Sequence, residues 1–142
     1  MEAKVYLGQL EKLEVMINNK LIEKEQWRDL ALNIVSNLDG ERVQSSGNKS
    51  RMATAIEKCI LVEEEIDILV DRLIDMKREV IATIEKLDKA AEYRVIHAKY
   101  IQNKELEEIA EDMNTSYTNI TTLHGRALKS LQGVLDGKKG EH

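Results

Sequence analysis

Two stretches of this chain, residues 3–37 and 51–87, place apolar or long-stemmed side chains at alternating steps of three and four. The first row is Tyr6, Leu10, Leu13, Ile17, Lys20, Lys24, Trp27, Ala31 and Ile34. The second is Met52, Ile56, Cys59, Glu63, Ile66, Val70, Leu73, Lys77, Val80, Ile84 and Leu87. This is the heptad spacing of helices packed along their length. Nothing in the composition breaks such helices: among 142 residues there is no proline, only 7 glycines, and 33% of the side chains are charged. Each helix would be roughly 50 Å long. The expected fold is all-α.

Between the two rows lies LDGERVQSSGNKS, residues 38–50, rich in turn formers at Asp39, Gly40, Ser46, Gly47 and Asn48. Ser50 can cap the second helix. Residues 1–88 therefore read as a long antiparallel hairpin with its loop at 38–50, serving oligomerisation or partner docking. Pairing residue i with residue 88 − i sets Lys24 against Glu63 and Glu64, and Lys77 against Glu11. Two readings of these seam charges are open. They fix the register by pairing, or their long stems carry the charge out to solvent.

Net charge is −5, which does not by itself advertise a nucleic-acid partner. Its distribution is more informative. Residues 1–88 hold 13 basic and 18 acidic side chains, residues 89–142 hold 8 of each, and the stretch 114–139 holds 4 basic and 1 acidic. Base is thus concentrated near the C-terminal end. The single cysteine, Cys59, excludes an intrachain disulfide framework, and on its seam position it reads as a small buried hydrophobe. No basic-then-apolar leader is visible, and no run reaches the ~18 apolar residues of a membrane span. The expected location is the cytoplasm.

Residues 89–136 read as a helix-turn-helix domain. A third helix from about Asp88 to Asn103 carries Tyr93, Ile96, His97, Tyr100 and Ile101. A fourth, from about Glu105 to Met113, aligns Leu106, Ile109, Ala110 and Met113. Asn114 suits a left-handed turn residue and Ser116 an N-cap. The fifth helix, about 116–132, turns Ile120, Leu123, Ala127, Leu128 and Leu131 inward, a row that Leu135 would extend. Gly133, Gly137, Gly140 and the Lys138-Lys139 pair mark a fraying tail, 137–142.

A recognition helix needs an apolar back, small polar side chains near its start that reach base edges, and donors for phosphates. The fifth helix has all three. Tyr117, Thr118, Asn119, Thr121 and Thr122 occupy its first turns, and Arg126 and Lys129 follow. Asn can bind adenine bidentately, and a Thr methyl can pack on the thymine methyl. Gly125, costly by about 1 kcal/mol relative to Ala in a helix interior, would admit a neighbouring helix or DNA. The same residues would also serve as caps and solvent-facing polars in a helix pair that contacts protein.

Other chemistries find little support. His97 and His124 have no metal-ligand spacing, so no metal or cofactor is expected. The carboxylates at 63–65 and 105–112 read as solvated helix faces. Gly-rich phosphate loops and nucleophile elbows do not occur, and SSGNKS lacks P-loop spacing. The chain does not read as an enzyme.

The segment 106–131, with EEIA, SYTNI and HGRAL in order, resembles region 4 of bacterial sigma factors and their phage relatives. Residues 3–135 further resemble ArpU-like regulators of phages and prophages, through GERVQSSG at 40–47, VDRLIDMKREV at 70–80, Tyr100-Ile101 and HGRALKSLQ at 124–132. The resemblance implies that Tyr117, Thr118, Asn119, Thr121, Thr122 and Arg126 face DNA. Where region 4 usually has Arg, Gln or Glu, this chain has Tyr117, Thr118, Asn119 and Thr121. That difference predicts a target other than the usual −35 promoter element. Glu105 stands where the scaffold helix often starts with Ser or Thr, and nothing matches the segments that bind the −10 element. Expectation is therefore a small sequence-specific regulator binding double-stranded DNA in a bacterial host cell. Its hairpin would form a homodimer or dock on RNA polymerase. The rival is a module binding RNA polymerase or a phage partner without touching DNA.

Overall fold

A computed structural model describes the backbone of residues 1–39 and 46–140, and the side chains of 1–34 and 47–137. The elements are α1 (Ala3–Asp39), α2 (Ser46–Ile84), α3 (Ala90–Ile96), a π-helical turn (His97–Ile101), α4 (Leu106–Asp112) and α5 (Tyr117–Gly140). Among the described residues there is no strand, and no helix is long and apolar enough to cross a membrane. The all-α expectation holds. The chain divides into two compact units, Leu13–Arg72 and a second made of Met1–Lys12 with Leu73–His142.

In the Leu13–Arg72 unit, α1 and α2 lie side by side in antiparallel sense. Lys20 Nζ meets Glu65 at 2.9 Å and Lys24 Nζ meets Glu63 at 2.8 Å. The Cys59 thiol donates to the Lys24 carbonyl at 3.8 Å. Lys24 thus pairs with Glu63 and not with Glu64. Both partners keep 34% and 54% of their side-chain surface, and ion pairs that wet are worth about 0–1 kcal/mol. They label the register more than they enforce it.

Apolar packing enforces it. Within this unit the buried side chains of α2 are Ala55, Val62 and Leu69, alternating with the half-buried Met52, Cys59 and Ile66. The expected row shared Met52, Cys59 and Ile66 but took Ile56, Glu63 and Val70 as their companions. Ile56 is 44% exposed and Glu63 faces solvent. A three-four alternation can be entered with either step first, and here the chain buries the smaller residues, Ala55 and Val62.

α2 also begins earlier than the turn chemistry suggests. It starts at Ser46, so Gly47 to Ser50 are its first turn. Ser50 is not the cap: its carbonyl accepts the Thr54 hydroxyl at 3.0 Å. First-turn N–H groups lack intrahelical partners anyway, so turn-forming residues cost little there. Arg51 donates to the Asn48 side-chain oxygen in the same turn. The expected loop residues 40–45 lie outside the described residues.

The second unit holds a continuous core. Leu7 and Leu10 of α1 and Val80 and Ile84 of α2 join Val95, Ile96, Ile109, Ile120, Ala127 and Leu131. The division expected at residue 88 therefore does not follow the packing. Helices as short as α3 and α4 bury too little by themselves, and the two ends of the long helices complete their core. The Tyr6 hydroxyl lies 2.9 Å from Thr83 Oγ1 and 3.1 Å from Glu79 Oε2. Gln132 of α5 accepts the Ala3 N–H at 2.7 Å and donates to the Met1 carbonyl at 3.1 Å. It satisfies a donor that the start of α1 would otherwise leave open. Among the described residues no ion pair joins Lys77 to Glu11. α5 does not fray at Gly133: it runs on to Gly140, with Val134 and Leu135 packed against the core. Of the expected tail, residues 141–142 lie outside the described residues.

Candidate nucleic-acid interface

The joint between α4 and α5 is built from backbone bonds that the local sequence dictates. Asn114 takes φ 54°, the left-handed conformation that Asn tolerates better than most side chains. The Thr115 N–H then reaches the Ala110 carbonyl at 3.0 Å and the Asn114 N–H the Glu111 carbonyl at 3.1 Å. This pair of bonds is a Schellman closure of α4. The chain leaves it directly into the next cap. The Ser116 hydroxyl accepts the Asn119 N–H at 3.1 Å, as an N-cap serine does. Two residues expected from sequence, Asn114 and Ser116, thus set the angle at which α5 departs.

Packing decides which face of α5 is left free. Ile120, Ala127 and Leu131 are fully buried, with Leu123 and Leu128 beside them. Helical spacing then puts Thr118, Thr122, Gly125, Arg126 and Lys129 together on the opposite face, and all five are exposed. Asn119 sits at one edge of this row and is exposed. Tyr117 and Thr121 sit at the other edge. Tyr117 is exposed and Thr121 is half-buried. Among the described residues neither Arg126 nor Lys129 belongs to an ion pair, so both charges are available to an anion.

Three details refine the expected reading face. The Thr121 hydroxyl donates to the Thr118 carbonyl at 2.8 Å, so toward a partner it can only accept or offer its methyl. The Asn119 amide donates one proton to the Thr115 hydroxyl at 3.0 Å. Its second N–H and its Oδ1 remain, which is the donor–acceptor pair an adenine edge requires. Thr115 was not among the expected site residues, although its position four before Asn119 could have signalled it. A Cβ built on Gly125 meets nothing within 4 Å. Among the described residues no neighbouring helix needs the glycine.

Behind the face, the π-helical turn aims Tyr100 at α5. Its hydroxyl lies 2.9 Å from His124 Nε2, and the rings stack with centroids 5.8 Å apart. Burial, and then the charges of Lys99 and Lys4, hold the His124 imidazole below its ordinary pKa. Burial raises the Tyr100 phenol. His97 is occupied separately, by Gln102 at 2.9 Å. Lys104 bonds Asp112 at 2.8 Å and so ties the approach to α4 to its last turn. None of the protein-family models, curated proteins or solved structures compared with this chain matches it.

Proposed function

We propose that this protein is a sequence-specific DNA-binding regulator of transcription, of the phage or prophage type that its sequence resembles. The observation that carries the proposal is the free row on α5: Thr118, Thr122, Arg126 and Lys129, exposed on one face of a helix whose other face buries Ile120, Ala127 and Leu131. α4, its closure and α5 act as a helix-turn-helix, and α5 enters the major groove. Thr118, Asn119 and Thr122 read base edges, with Tyr117 and Thr121 at the flank. Arg126 and Lys129 bind phosphates. Gly125 lets the duplex backbone come close. One such head buries little DNA surface, so a dimer of two heads would raise affinity and specificity. The long antiparallel helices serve that purpose, or dock on RNA polymerase, within the bacterial host cytoplasm.

Selection of bound duplexes from a random pool tests the proposal. Enrichment of one sequence, centred on an element unlike the usual −35 hexamer, supports it. A pool that stays random overturns it and leaves the surface to a protein partner.

A further inference from the structure

The Leu13–Arg72 unit buries few side chains for its size. Among its described residues only Leu13, Ala55, Val62 and Leu69 are buried, while Leu30, Leu61 and Ile68 stay 45%, 46% and 58% exposed. Two helices alone seldom make a self-sufficient core, whereas two such pairs make a four-helix bundle.

One face is prepared for this. Arg51, Thr54, Lys58, Leu61, Glu65 and Ile68 follow one another along α2 at steps of three and four, and so share a face. At its start, Arg51 and Thr54 line an apolar groove with Trp27, Leu30 and Ile34 of α1. The groove on the other side of the pair is lined by Leu21, Lys24, Glu63, Ile66 and Asp67, and is crossed by the Lys24–Glu63 ion pair. The first, with no ion pair across it, is the more apolar seat.

Charge says what sits there. Along α2, residues 46–62 carry three bases and one acid, and residues 63–71 carry five acids and no base. A parallel copy in register would set acid against acid. A copy turned over about Leu61 sets Lys58 against Glu64, Arg51 against Asp71 and Thr54 against Ile68, each twice by symmetry, and the opposite-charge pairs outnumber the one like pair, Glu57 against Glu65. Ile68 of the second copy then falls over the groove beside Thr54. The overlap from 51 to 71 is roughly 30 Å long and two helices, or about 20 Å, wide. That is on the order of 600 Å² per copy, near the ~800 Å² of a standard interface.

We infer that this protein is a homodimer joined through the Leu13–Arg72 unit, with the two α2 helices antiparallel about Leu61 and Ile68 of each copy seated in the Trp27–Leu30–Ile34 groove of the other. The inference does not depend on DNA binding.

Sedimentation equilibrium of the full chain without DNA tests it. The parent chain is expected to be a dimer at about 10 μM and below. Leu61→Glu, which brings two like charges together at the axis, is expected to raise the dimer Kd about a hundredfold or more. Ile60→Glu, about 100° round α2 from Leu61 and off the proposed face, is expected to leave it within about threefold. Lys58→Glu should weaken the dimer and Lys58→Glu with Glu64→Lys restore it. With Cys59→Ala as background, Leu61→Cys should cross-link copy to copy under mild oxidation and Ile60→Cys should not. Helicity by circular dichroism confirms that each variant is folded. A monomeric parent at about 100 μM, or a dimer broken by Ile60→Glu and spared by Leu61→Glu, overturns the inference.

Discussion

The Asn119 side-chain amide donates to the Thr115 hydroxyl at 3.0 Å, across the joint where α4 has ended and α5 begins. The bond leaves the amide's second N–H and its oxygen directed by a neighbour rather than free to rotate. Under the proposed function, Asn119→Ala loses about 1–3 kcal/mol of discrimination at a single base pair. Thr115→Val keeps the backbone closure and removes only the orienting hydroxyl, so it should lose a smaller part at the same base pair. Competition binding against single-position operator variants measures both. Loss spread over all positions would show that Asn119 does not read a base.

Gly125 separates stability from binding. Its Cβ position is open and it lies inside α5. Gly125→Ala should therefore stabilise the fold by about 0.5–1 kcal/mol. If duplex backbone comes close at this point, the same methyl should weaken DNA binding. Denaturant unfolding and a binding isotherm on one sample give the two signs, and equal affinity would remove Gly125 from the interface.

The Ser116 cap carries a local cost. Ser116→Ala is expected to destabilise the chain by about 1 kcal/mol, and Ser116→Asp to restore most of it. The comparison of Tm values across the three proteins checks it.

His124 makes stability depend on pH. Its folded pKa lies below the unfolded value because burial and then Lys99 and Lys4 oppose protonation. The stabilisation is fully present above the unfolded pKa, about 6.5. It is lost as pH falls below that value and through the folded pKa. His124→Gln should flatten this acid slope, while Tyr100→Phe should lower stability at neutral pH and keep the slope. Urea midpoints between about pH 5 and 8 read both.

What sequence could show here was chemistry decided within a few residues. Asn114 at positive φ and Ser116 as a cap were legible because turn and cap preferences act locally, and so was the inward row Ile120, Ala127, Leu131. Choices made by packing were not. Whether Ala55 or Ile56 enters the seam depends on the facing helix. The closure of the His97–Ile101 turn with one extra residue, Gln102 N–H to the His97 carbonyl, has no local signal in the sequence. The start of α2 at Ser46 ran against local turn signals, and Gly133 and Gly137 stayed helical because Val134 and Leu135 have a core to pack on. Most distant of all, Ala3, Tyr6, Leu7 and Leu10 complete the core beneath α5 from the far end of the sequence. No local signal carries that, nor the reach of Gln132 back to Ala3.

The salt dependence of binding tests α5 as a DNA-reading helix, with the duplex chosen by selection and affinities taken at two salt concentrations. The parent chain should bind more weakly as salt rises, and Arg126→Ala should weaken binding to every sequence while reducing the log–log slope by about one unit. Salt-independent binding by the parent, or an Arg126→Ala protein with unchanged affinity and slope, would contradict the assignment of α5 as a DNA-reading helix.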